Sequence, residues 1–222
     1  MYDMNTVRDA SADKPTLGHS GRRPRVYQQA VRAEQTAANT QSIVNAAITL
    51  VYSARRLEGI TLEDVARQCG LTVRTILRRF GSRDGVLEAA FAQLARQIVR
   101  DRPVTPPGDI DAALAALLHQ YERDGDLNIK ALDQESELPL LHKMMERGRA
   151  GHRAWLRRIF GPYLTHLDSA ARKQRTNELY AATDVYLWKL LRRDLKVGKQ
   201  QTADAFRHLV LGVIRLEREK GE

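Results

Sequence analysis

Residues 70–83 contain four arginines, Arg74, Arg78, Arg79 and Arg83, and no acid. A guanidinium donates paired hydrogen bonds to phosphate oxygens or to the O6 and N7 edge of guanine. An exposed helix in a soluble protein ordinarily mixes signs, so this one-sided run favours a polyanionic partner. Hydroxyls surround it at Thr61, Thr72, Thr75 and Ser82. Each can donate to a phosphate oxygen or accept from the first N–H groups of a helix.

The elements that must carry these groups are readable from caps and periodicity. Ile43, Ala47, Leu50, Val51 and Ala54 share one face of a helix of roughly 20 residues. Thr61 with Asp64 three residues on resembles a capping box, opening a short helix with Leu62, Val65, Ala66 and Cys69 inward. Gly70 ends it. Thr72 caps a third helix, with Val73, Ile76, Leu77 and Phe80 on one face and Arg74, Thr75, Arg78 and Arg79 on the other. After Gly81, Ser82 caps a fourth helix whose buried stripe is Val86, Leu87, Ala90, Phe91 and Leu94. Two short helices joined by a tight glycine turn make a helix-turn-helix, whose second helix fits the major groove. Ser82 and Arg83 then stand at a helix N-terminus, a ready phosphate site. The alternative leaves Arg83 in solvent while Asp84 serves the dipole.

The run Ile60–Phe91, with the upstream Ile43, Ala46, Ala47 and Leu50 pattern, resembles the DNA-binding domain of the TetR family of transcriptional regulators. The resemblance spans about fifty residues; beyond it, only the all-helical length and order are shared. It implies a dimer, usually a repressor, with an effector pocket in the C-terminal half. By position, Thr72, Arg74, Thr75, Arg78 and Arg79 would meet the groove, and Thr61, Ser82 and Arg83 the backbone. Many members carry a phosphate-contacting tyrosine where this chain has Leu77, so that contact is lost and Leu77 is expected to pack. Arg79, where histidine is common, would partly replace it. Arg22, Arg23 and Arg25 form either a minor-groove arm or a solubilising tail.

Composition agrees with this reading. The 222 residues carry a net charge of +9, with 15 basic and 9 acidic side chains in residues 1–100 against 21 and 18 in residues 101–222. The single cysteine excludes an internal disulfide. No apolar run approaches the ~20 residues of a membrane span, and no signal-peptide core is present, pointing to a reducing cytoplasm. The six histidines form no pair at metal-ligand spacing, so no metal site and no cofactor are expected. Neither a glycine-rich phosphate loop nor a nucleophile elbow occurs, so no enzyme activity is expected.

The expected fold is all-α. Residues 1–30 form a flexible basic tail, 31–82 a three-helix helix-turn-helix DNA-binding domain, and 83–222 a helical bundle for ligand binding and dimerisation. Within the last, three prolines and a glycine between Arg102 and Gly108 must interrupt any helix. Gly125 reads as a turn, Pro139 as the first turn of a long helix, Ser169–Asp194 as one helix, and Thr202–Glu219 as the last, with Phe206, Leu209, Val210, Val213 and Ile214 inward. His119, Tyr121, Met144, Met145, His152, Trp155, Tyr163 and Tyr180 are candidate lining of an effector pocket; an aromatic stripe at helical spacing is equally the mark of plain core. Apolar residues around most of the circumference of Val185–Leu191 need more than one partner, as an isologous dimer would supply. Partners are therefore double-stranded DNA with a pseudo-palindromic operator, a small-molecule effector and a second copy. The rival reading is a nonspecific DNA-binding architectural protein without an effector; it leaves the near-neutral second half unexplained.

Overall fold

The computed structural model describes residues 25–101 and 104–215, and these are helical with no strand. Arg22 and Arg23 lie outside the described residues, as do the side chain of Arg25 and the terminus beyond Arg215. The helices are α1 (Arg25–Ser53), α2 (Leu62–Cys69), α3 (Val73–Phe80), α4 (Arg83–Asp101), α5 (Ile110–Asp133), α6 (Pro139–Phe160), α7 (Ser169–Ala182), α8 (Val185–Lys189) and α9 (Lys199–Arg215). The chain divides into two compact units, Met1–Asn39 and Thr40–Glu222. In the first, α1 begins at Arg25, so the helix is 29 residues long rather than the roughly 20 expected, and its own side chains support it: Gln35 donates to Asn39 at 3.0 Å and Thr36 to the Arg32 carbonyl at 2.7 Å.

The second unit holds two apolar clusters. One gathers Ile43, Ala47 and Val51 of α1, Val65 of α2, Ile76 of α3, and Val86, Leu87, Ala90, Phe91 and Leu94 of α4. It also takes Leu127 and Ala131 of α5 and Leu141 of α6. The core around α1–α4 therefore continues into the second half of the chain. The other cluster, built by α5–α9, centres on Leu117, Trp155, Ile159, Phe160, Leu179, Trp188 and Phe206.

Three local readings change. Gly125 is not a turn but sits inside α5, where a Cβ would overlap the Trp188 ring. Glycine there lets the indole close on the helix. The region 169–194 is not one helix. Thr183 donates its hydroxyl to the Leu179 carbonyl at 2.7 Å, and Asp184 then caps α8 by accepting from the Tyr186 N–H at 2.9 Å. Such local side-chain bonds compete with helix continuation. Leu209, expected inward, is exposed.

The fully buried Trp188 is held on several sides. Its indole N–H donates to Glu122 at 2.9 Å, Arg193 lies 4.4 Å above its ring, and Tyr121 is 6.3 Å away. Arg192 donates to Glu122 at 2.6 and 3.1 Å. Hydrogen bonds from Arg192 and then Trp188 hold the Glu122 carboxyl down at about 2, against an ordinary 4.5. A depressed carboxylate stabilises the fold above its unfolded pKa and loses that contribution as pH falls through the folded one.

Two outcomes are expected. Stability should decline as pH falls from 4.5 toward about 2, and Glu122→Gln should flatten that part of a urea-denaturation pH series. Gly125→Ala should destabilise the fold by about 1–3 kcal/mol in the same assay, because the methyl group overlaps a buried ring.

Candidate nucleic-acid interface

The recognition segment is fixed by its termini. Thr61 and Asp64 form a reciprocal capping box on α2: the Asp64 N–H donates to Thr61 Oγ1 at 3.1 Å, and the Thr61 N–H to Asp64 Oδ2 at 3.1 Å. Gly70 then takes φ 70°, left-handed backbone that a side chain would strain, and turns the chain into α3. The Thr75 N–H donates to Thr72 Oγ1 at 3.2 Å, and their two hydroxyls lie 3.0 Å apart. Ser82 caps α4 by accepting from the Gly85 N–H at 3.0 Å.

With its ends set, α3 seats Ile76 at 0% exposure and turns Arg74, Arg78 and Arg79 to solvent. Among the described residues, none of these three guanidiniums has a partner within the chain. Thr61, Thr72 and Ser82 are exposed on the same segment and Thr75 is half-buried. Leu77 departs from expectation: it is 40% exposed rather than packed.

Arg83 also departs from expectation. Its guanidinium is not directed to a waiting phosphate but folded back under the loop between α1 and α2. It donates to the carbonyls of Ile60 at 2.5 Å, Leu57 at 2.6 Å and Glu58 at 2.8 Å, and pairs with Asp84 at 3.0 Å. The loop leaves these carbonyls without helical donors, and a five-donor fork satisfies three of them at once.

Other groups grip the same loop from α5. Lys130 Nζ donates to the carbonyls of Val51, Tyr52 and Ala54 at 3.1, 3.0 and 2.6 Å, capping the end of α1. Burial pulls its pKa below the ordinary lysine value. Gln134 accepts from the Leu57 N–H at 2.8 Å. The Tyr52 hydroxyl donates to buried Asp124 at 2.8 Å; burial, then this bond, pushes the phenol up to about 12. Arg56 pairs with Glu137 across the same seam. A shallow cleft with room for about one water lies beside it, lined by Leu57, Arg83, Phe91 and Leu138–Leu141.

Residues 43–90 match the profile of the bacterial regulatory proteins of the tetR family. Residues 43–90 are thus a segment of tetR-family type. Its fold is similar to a crystal structure of a Pseudomonas aeruginosa PAO1 protein assigned to the transcriptional regulators, with a TM-score of 0.61, 14% identity, and coverage of 79% of this chain and 89% of that one. No curated protein matches the sequence significantly.

The candidate effector residues separate into groups. Tyr121, His152, Trp155 and Tyr180 come together around buried Thr183. The Tyr121 hydroxyl donates to the Thr183 carbonyl at 2.9 Å. His152 Nε2 lies 2.9 Å from Thr183 Oγ1, whose own hydrogen points to Leu179, so the imidazole is the donor. His152 stacks on Trp155 at 5.3 Å and meets Tyr180 edge-on at 4.8 Å. The other four lie elsewhere. Tyr163 donates to the Gly108 carbonyl at 2.6 Å, Met144 and Met145 pack against the head's cluster, and His119 is exposed. His119 was expected near an inward face; Leu117 and Leu118 are the residues turned in. Among the described residues no three His, Cys, Asp or Glu side chains converge as a metal site, and no helix is long and apolar enough to cross a membrane. Cys69 is half-buried, with Sγ 3.7 Å from the Ala66 carbonyl.

Sequence reading missed Lys130, Gln134, Asp124, Thr183 and the brace role of Arg83. The signal available was a lysine between two inward residues, Ile129 and Ala131. Arg83→Ala should lower unfolding free energy by about 1–3 kcal/mol, since buried carbonyls lose their donors. A guanidinium held only for phosphate would leave the denaturation midpoint of free protein unchanged.

Proposed function

We propose that the protein is a sequence-specific DNA-binding transcriptional repressor, acting as a cytoplasmic homodimer and released by a small-molecule effector. The observation that carries this reading is the solvent face of α3, where three arginines stand without a partner or an acid among the described residues. Arg74, Thr75, Arg78 and Arg79, with Thr72, would read and position the major groove. Thr61 and Ser82, exposed at two helix N-termini, would border phosphates, Ser82 through its hydroxyl. Arg83 acts one step back, holding the loop that sets α2 and α4.

Residues 31–82 serve as the binding domain and 83–222 as the body, a division of labour rather than a break in the core. Dimerisation through the last helices is supported by Tyr186, Leu190, Leu195 and Leu209, large apolar side chains left exposed there. Two-fold symmetry would set half-sites about 34–36 Å apart on a pseudo-palindrome. The effector site is assigned to the cluster of Tyr121, His152, Trp155 and Tyr180. Tyr121 shares α5 with Asp124 and Lys130, and Gln134 caps that helix; the three hold the end of α1 and the loop leading into α2. An effector that favours one position of α5 would therefore shift the population of binding-competent heads.

Gel retardation with the promoter region beside the protein's own gene tests the reading. Specific retention is expected, and none at low salt would overturn it. Arg78→Ala should cut discrimination between operator and random duplex by about 1–3 kcal/mol. Wild-type protein that holds random DNA as tightly as operator would leave only a nonspecific coat.

A further inference from the structure

Leu77 is turned toward solvent more than its apolar character requires. It is 40% exposed, and it is absent from the apolar side chains, Leu62, Ala66, Leu71 and Phe80 among them, that pack against the head's core. Residues three and four apart are neighbours on a helix, so Leu77 stands at the border between half-buried Val73 and Phe80 on one side and Arg74 on the other, and Arg74 in turn shares its face with Arg78. Both arginines are exposed and unpartnered among the described residues. The outward face of α3 thus presents an apolar branch beside guanidiniums.

The major groove offers one apolar group at its base edges, the 5-methyl of thymine. Arginines suit guanine edges and phosphates; a leucine can match neither. We propose that Leu77 is a specificity-determining residue that packs on a thymine methyl in each half-site. Three residues of helix rise about 4.5 Å, little more than one base-pair step. The thymine therefore lies within about one or two base pairs of a guanine read by Arg74. Burial of the methyl against Leu77 favours thymine over the same base without it by about fourfold per half-site.

This inference rests on the DNA-binding reading, and the test separates the two. Duplexes are recovered from a random-sequence pool with the full-length protein, then resynthesised with deoxyuridine replacing thymidine one position at a time in both half-sites. Wild type should lose about fourfold per half-site at one position, and Leu77→Ala and Leu77→Asn should lose almost nothing there. Circular dichroism confirms that the variants keep their helices. If wild type is indifferent to deoxyuridine everywhere, or if the variants lose as much as wild type, the Leu77 assignment is overturned while DNA binding stands. If no duplex is recovered, both readings fall.

Discussion

The structure depends on how the end of α1 is closed. A helix leaves its last carbonyls without partners, and here a loop follows whose backbone is partly buried around Leu57. Lys130 covers the carbonyls of Val51, Tyr52 and Ala54, and Arg83 those of Leu57, Glu58 and Ile60. Gln134 satisfies the Leu57 N–H. Two cations and an amide thus complete a stretch that no regular element pairs. Because they come from α4 and α5, the same bonds fix where the helix-turn-helix stands.

That arrangement gives the arginines of this head different duties. Arg83 is committed to the fold, whereas Arg74, Arg78 and Arg79 have nothing to hold among the described residues. The distinction is one of geometry, since all four are the same residue type within ten positions. A side chain at the first turn of α4 can reach back to the preceding loop. Those on the outward face of α3 have only solvent within reach.

The local parts of the fold were legible in the sequence. Thr61 with Asp64, Thr72 with Thr75, and Gly70 announce their caps and turn within three or four residues, and each is found. The stripe of α4 is buried as its period requires. What escaped depends on partners far away in the chain. Gly125 looks like a turn until Trp188 arrives against it, and Lys130 looks like surface until the end of α1 is placed beside it. The candidate effector set divides for a related reason. Met144 and His152 both fit an inward stripe of α6, yet that helix runs past two clusters, so one faces the head and the other the bundle.

The shared core has a consequence for modularity. Leu127, Ala131 and Leu141 close the side of the head that α1 and α4 leave open. A fragment cut after Gly81 would lose α4 as well and present its interior to water. Grafting this reading head onto another body would work only if the recipient offered matching apolar side chains on its own α5 and α6. Heads and bodies in such a chain are thus constrained to change together along that surface, while the outward face of α3 stays free to vary.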